Sequence, residues 1–213
     1  MLRQTAAGPE PLAQAVPTLA EIFAATAWDG AATAFMLAHL NGGAVLWVQD
    51  RLSRREAGMP YPPGFGVGLD LMYLQVGRAA DVLWAMEQGL GTPSLAAVVG
   101  EVWGDAPALD FTATKRLALR AEAHGVAAWL IRRGAMADLS AARERWRVGS
   151  LPSAPHPDDL RAPGAAIWRT TLFRARWRMP ADWVTRYDAR THRMQMEHPT
   201  AATPGPQAAL QAG

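Results

Sequence analysis

The chain has 213 residues, half of them apolar, with 21 basic side chains, 19 acidic ones and no cysteine. This is enough for one domain with a substantial core, and it excludes disulfides, thiol catalysis and Cys-based metal sites while fitting a reducing compartment. The charge is unevenly placed: residues 1–140 carry a net −3 and residues 141–213 a net +5, a basic half suited to an acidic or phosphate-bearing partner.

Residues 1–17 contain Gly8, Pro9, Pro11 and Pro17 and read as a loose arm. They lack the apolar core of a signal peptide, and no stretch approaches the ~20 apolar residues that span a bilayer. A soluble, cytoplasmic protein without membrane association is expected. A short strand is predicted over 19–23. Residues 30–40 place Phe35, Met36 and Leu40 on a helical stripe, with Asn41-Gly42-Gly43 as the stop. The run AVLWV (44–48) reads as a strand buried on both faces. A short helix over 51–57 leads into the loop GMPYPPGFG. LMYLQV (71–76) reads as a second buried strand. The helix 78–90 sets Val82, Leu83, Met86 and Leu90 on one face. LAAVV (95–99) is a strand. The helix 110–125 has capping candidates at Asp110 and Thr112 and a stop at Gly125. VAAWLI (126–131) is a further strand.

Strand and helix therefore alternate up to residue 140, which predicts an α/β domain with a mainly parallel sheet and helices on both faces. Beyond it, RWRVGS, AIWRTTLFRARW and DWVTRYD alternate polar and apolar residues. They read as antiparallel edge strands or hairpins, with a long loop, PSAPHPDDLRAPG, between the first two. The expected division is an arm over 1–18, an α/β domain over 19–190 and a disordered tail over 191–213.

The stretch EIFAATAWDGAATAF (21–35) has the layout of a strand, a phosphate loop and a helix. A phosphate loop reads G-x-x-x-x-G-K-[ST], its backbone N–H groups and Lys holding phosphates and its hydroxyl a Mg²⁺ ion. Here Ala24 stands at the first glycine, Gly30 falls one residue late for the second, and Ala31 and Ala32 replace the Lys and the hydroxyl.

Five segments in order, FGVGLDLMYLQV, DVLWAMEQGL, LAAVVGEV, LDFTATKRLALRAEAHGVAAWLIR and RWRVGSLPS, resemble the ImuA family. These are RecA-like proteins encoded beside ImuB, a Y-family polymerase homologue, and an error-prone replicative-type polymerase. The resemblance spans roughly residues 19–187. It implies a RecA-like core and a role in SOS mutagenesis and translesion DNA synthesis, with the ImuB-type protein, the error-prone polymerase, RecA and DNA as expected partners. In the RecA-type pattern a catalytic Glu follows the strand matching AVLWV, where this chain has Gln49. The metal-orienting Asp corresponds to Gly100, with Glu101 expected to point the other way. Asp50 and Glu101 are the residues from which a metal site could be rebuilt. The expectation is no ATPase, no cofactor and no metal.

The RecA-type loops that hold DNA correspond to VWGDAPAL, without a cation, and RRGAMADLSAARER, with Arg132, Arg133, Arg143 and Arg145. WRTTLFRARWRM interleaves Trp168 and Trp177 with Arg169, Arg174, Arg176 and Arg178, a composition that suits single-stranded DNA or the outer face of a curved sheet. Among the histidines, His39 and His124 near helix ends read as partners of the helix dipole. In the tail, Gln207 and Leu210 resemble a sliding-clamp peptide without its aromatic end. The reading is a non-catalytic adaptor; a DNA-stimulated ATPase with an altered site and a single-stranded DNA-binding module are the alternatives.

Overall fold

A computed structural model describes residues 17–61, 68–188, 191 and 193–198. The arm over 1–16 and the clamp-like residues Gln207 and Leu210 lie outside the described residues. The elements run β1 (Leu19–Ala24), α1 (Ala31–Leu37), β2 (Gly43–Asp50), α2 (Arg51–Ala57), β3 (Leu69–Val76), α3 (Ala79–Gly89), β4 (Leu95–Trp103), α4 (Phe111–His124) and β5 (Ala127–Arg133). Four strands follow: β6 (Glu144–Leu151), β7 (Ala166–Ala175), β8 (Ala181–Asp188) and β9 (Arg193–Glu197).

All nine strands form one sheet in the order β3-β2-β4-β5-β1-β6-β7-β8-β9. The pairs from β3 to β6 are parallel, and those from β6 to β9 antiparallel. On one side α1 packs with Phe35 and Met36 against Trp47, Trp129, Trp146, Trp168 and Trp183. On the other, α3 and α4 bury Leu83, Met86 and Leu117 against Val98 and Leu130. Asp110 caps α4, its Oδ1 accepting from Ala113 N–H at 2.7 Å. Gly125 ends the helix at φ +68°, a left-handed conformation that side chains resist.

Three expectations are corrected. LMYLQV is not buried on both faces: β3 is a sheet edge, with Met72 and Leu74 exposed. RWRVGS pairs antiparallel with the next strand as expected but is not at an edge: β6 also lies parallel to β1, with Ile22 opposite Trp146, and hands the sheet over to the antiparallel strands. The tail is not wholly irregular: β9 pairs with β8 and buries Met194 and Met196. Four or five residues with two apolar ones are too few to register as a strand by periodicity, and β8 supplies the missing partner.

Candidate functional site

Beyond β1, residues 25–30 turn into α1 where a phosphate loop would lie. Gly30 caps the helix at φ −74°, ψ −12°, a conformation open to any residue. Ala31 and Ala32 are buried in the core beneath the helix. The first helical N–H is satisfied internally: Asp29 Oδ1 accepts from Ala31 N–H at 2.8 Å. The same carboxylate accepts from the N–H and the hydroxyl of Ser150, each at 2.7 Å, tying the loop to the end of β6. Burial pushes the Asp29 carboxyl up, but these hydrogen bonds and the Arg133 charge outweigh it and hold the carboxyl below the usual range.

Arg133, at the end of β5, fills the space facing this loop. Its Nη1 donates to the carbonyls of Ala27 and Asp29 at 3.1 and 2.9 Å, and its Nη2 to the Thr33 hydroxyl at 2.9 Å. Its Nε donates to Glu101 Oε1. The loop therefore offers carbonyl oxygens to a cation where a phosphate loop offers N–H groups to an anion.

Glu101 faces this side because β4 runs on to Trp103, which makes the side chains alternate through residue 101. Gly100 points away, toward α3, where a Cβ would meet Met86 Sδ at 2.2 Å. Of the two residues, Glu101 thus occupies the loop-facing position. Its Oε2 accepts from Trp47 Nε1 at 3.2 Å and from Gln49 Nε2 at 3.0 Å. Gln49 also donates to the Gly58 carbonyl and accepts from the Tyr73 hydroxyl. Burial pushes the Glu101 carboxyl up, against the opposing pull of Arg133. Asp50 is committed elsewhere: Oδ1 caps α2 through Ser53 N–H and Oδ2 accepts from Trp103 N–H. The described residues contain no cluster of three His, Asp or Glu side chains able to hold a metal. The cleft between Thr33, Trp47, Met59, Tyr61 and the Arg133–Glu101 pair measures about 250 Å³, below the ~300–1,000 Å³ of ordinary ligand pockets.

The arginines expected at a partner or DNA surface divide into two groups. Arg132 and Arg145, like Arg133, are buried and not at the surface. Arg145 Nε donates to Glu21 Oε2 at 2.6 Å and its Nη1 to the Asp138 carbonyl. Arg132 lies over the Phe23 ring, with carboxylate oxygens of Asp138, Glu21 and Asp105 at 3.5–3.7 Å. These arginines anchor the loop beyond β5 to the core. Arg143 pairs with Glu122 and Arg178 with Glu144. Arg174 donates to the Ser140 carbonyl, and Arg176 stacks over Trp177. Trp168 belongs to the core, whereas Trp177 is exposed. The sequence reading missed Asp29, Thr33 and Ser150; only Asp29, a capping type just before a helix, left a local signal.

No protein-family model matches the chain. Two curated relatives do, each named Protein ImuA, from two strains of Caulobacter vibrioides. Each is 35% identical over 157 residues, which cover 68% of this chain and 60% of the relative. This chain belongs to the ImuA family. It spans about 60% of the length of the curated relatives it matches. Among solved structures, the crystal structure of the RadB recombinase matches with a TM-score of 0.55 at 16% identity, covering 82% of this chain and 90% of that one. The ImuA-family chain thus has the RecA-like α/β fold expected for it.

Proposed function

We propose that this chain is a non-catalytic, RecA-like accessory protein of a damage-induced, error-prone translesion synthesis system. In this reading it acts by binding an ImuB-type polymerase homologue, RecA or both, in company with the error-prone polymerase. Membership of the ImuA family supports the system. The Arg133–Glu101 pair supports the non-catalytic part, because it fills the space facing the β1–α1 loop with internal hydrogen bonds. Micromolar affinity for Mg-ATP needs about 8 kcal/mol. The donors at this loop are already engaged: Arg133 by Glu101, two carbonyls and Thr33, and the Ala31 N–H by Asp29.

Two measurements test this. Equilibrium dialysis of the purified chain against Mg-ATP is expected to show no saturable binding below millimolar concentration. Hydrolysis that changes on Gln49→Ala would overturn the non-catalytic reading. Tagged chain recovered from DNA-damaged cells is expected to bring the ImuB-type protein or RecA with it. Recovery of neither from abundant chain would overturn the accessory role.

A further inference from the structure

We propose that the uncovered face of β6, β7 and β8 binds single-stranded DNA through a diagonal row of arginines, Arg147, Arg169 and Arg186. The side chains on the opposite face of these strands are buried: Trp146 and Val148, Trp168 and Thr170, Trp183 and Thr185. Alternation therefore puts the three arginines together on the α4 side of the sheet, where all three are exposed. On this side of the sheet the helices α3 and α4 pack mainly on β1 to β5, away from β7 and β8 among the described residues.

The register makes the row straight. Arg147 lies opposite Thr171, two residues along β7 from Arg169. Arg169 lies opposite Val184, two residues along β8 from Arg186, in the same sense. Such diagonal neighbours are about 7–8 Å apart, so the three arginines recur at one backbone interval across the sheet. Among the described residues none of the three has an ion pair; Arg147 lies over the Phe173 ring at 5.4 Å. Asp182, on the same face, accepts from the Thr171 hydroxyl, four residues along β8 from Arg186. Arg193 of β9 continues the row, opposite Asp188.

The same side of the sheet holds a second basic feature. A groove of about 350 Å³ runs between α4 and the end of β7, with Lys115, Arg174 and Arg176 in its lining. Trp177, exposed and stacked with Arg176, lies next to it in the chain.

This chemistry favours a phosphate backbone over an acidic protein. Protein interfaces are anchored by a desolvated apolar centre, whereas this face presents a row of exposed arginines with the partly buried Phe173 at its Arg147 end. An open sheet face carrying cations and an aromatic can hold the backbone of a flexible strand whose bases can stack. The choice of DNA over RNA rests on the damage-repair role proposed above.

Fluorescence anisotropy of the full chain with a labelled 20-nucleotide oligo-dT tests the row. Binding is expected to weaken steeply with salt. The variant Arg147→Gln/Arg169→Gln/Arg186→Gln is expected to bind at least tenfold more weakly, with a salt slope lower by about 2, as three lost single-strand contacts require. A control removing the same charge elsewhere, Arg54→Gln/Arg55→Gln/Arg116→Gln, is expected to bind as the parent does. Absence of binding, equal loss in both variants, or equal affinity for oligo-U or for a duplex of the same length would overturn the proposal. Preferential binding of a poly-glutamate peptide at the row would overturn it in favour of a protein partner. Thermal melting of the triple variant verifies its fold. Recovery of the ImuB-type protein or RecA with that variant separates failure of this surface from failure of the accessory role.

Discussion

Arg133 and Arg169 are the same residue type on one sheet, and their surroundings treat them in opposite ways. Arg133 is enclosed, bonded to Glu101, two loop carbonyls and the Thr33 hydroxyl. Arg169 stands on an open face and, among the described residues, has no acidic partner. Burying a charge is costly unless every donor is used, so the first arrangement is rigid and intolerant of change. An exposed guanidinium contributes little to stability and keeps its donors available to a ligand. A count of arginines treats the two groups alike, and only burial separates the cations that hold the fold from those that can meet a partner.

The sharpest break of this comparison is Arg133→Met. It strands the Glu101 carboxylate in the interior and is expected to lower unfolding stability by about 3–5 kcal/mol in urea denaturation. Adding Glu101→Leu is expected to recover part of that loss, and simple additivity would show that the pair is not coupled. Gly100→Ala, on the other side of the same strand, is expected to cost about 1–3 kcal/mol, because the new methyl meets Met86 Sδ.

His39 extends the comparison to a cation that the interior suppresses. The residue keeps some exposed surface, but its ring lies edge-on to Phe35 with centroids 4.5 Å apart and 5.2 Å from Trp129. Burial, helped by the Arg178 charge and opposed by the hydrogen bond to the Phe35 carbonyl, lowers its pKa from 6.5 to about 4. A folded pKa below the unfolded one gives stability that is present above pH 6.5 and lost as the pH falls toward 4. The expected loss is about 3 kcal/mol at most, and His39→Phe should flatten that part of a stability–pH curve. At the small end, Arg169→Gln is expected to change stability by less than about 0.5 kcal/mol in the same urea measurement.

Much of this fold was legible in the sequence, for physical reasons visible at particular residues. The apolar run at 44–48 and the stripe Val82-Leu83-Met86-Leu90 signal burial locally, and both elements form where expected. The exposure of β3 follows from its place at the sheet edge, which no local pattern encodes. The pairing of β6 with β1 joins residues more than 120 positions apart. In the candidate site, the absence of phosphate-binding residue types at Ala24, Ala31 and Ala32 was plain. What replaced them was not, because Arg133, Glu101 and Asp29 come from three separate segments. The choice between Gly100 and Glu101 depended on whether β4 continued, a matter of strand length and not of residue type.

The inward-facing carbonyls of Ala27 and Asp29 bear on what it would take to build a nucleotide site at this loop. Side chains can be exchanged one at a time, but peptide planes that present oxygen to Arg133 must rotate before they can present N–H to a phosphate. Placing Lys at 31 and Thr at 32 leaves those planes where they are, held by a guanidinium that satisfies them. A change of residue types alone therefore does not make this loop a phosphate cradle; the Arg133–Glu101 pair has to be broken and the backbone turned as well.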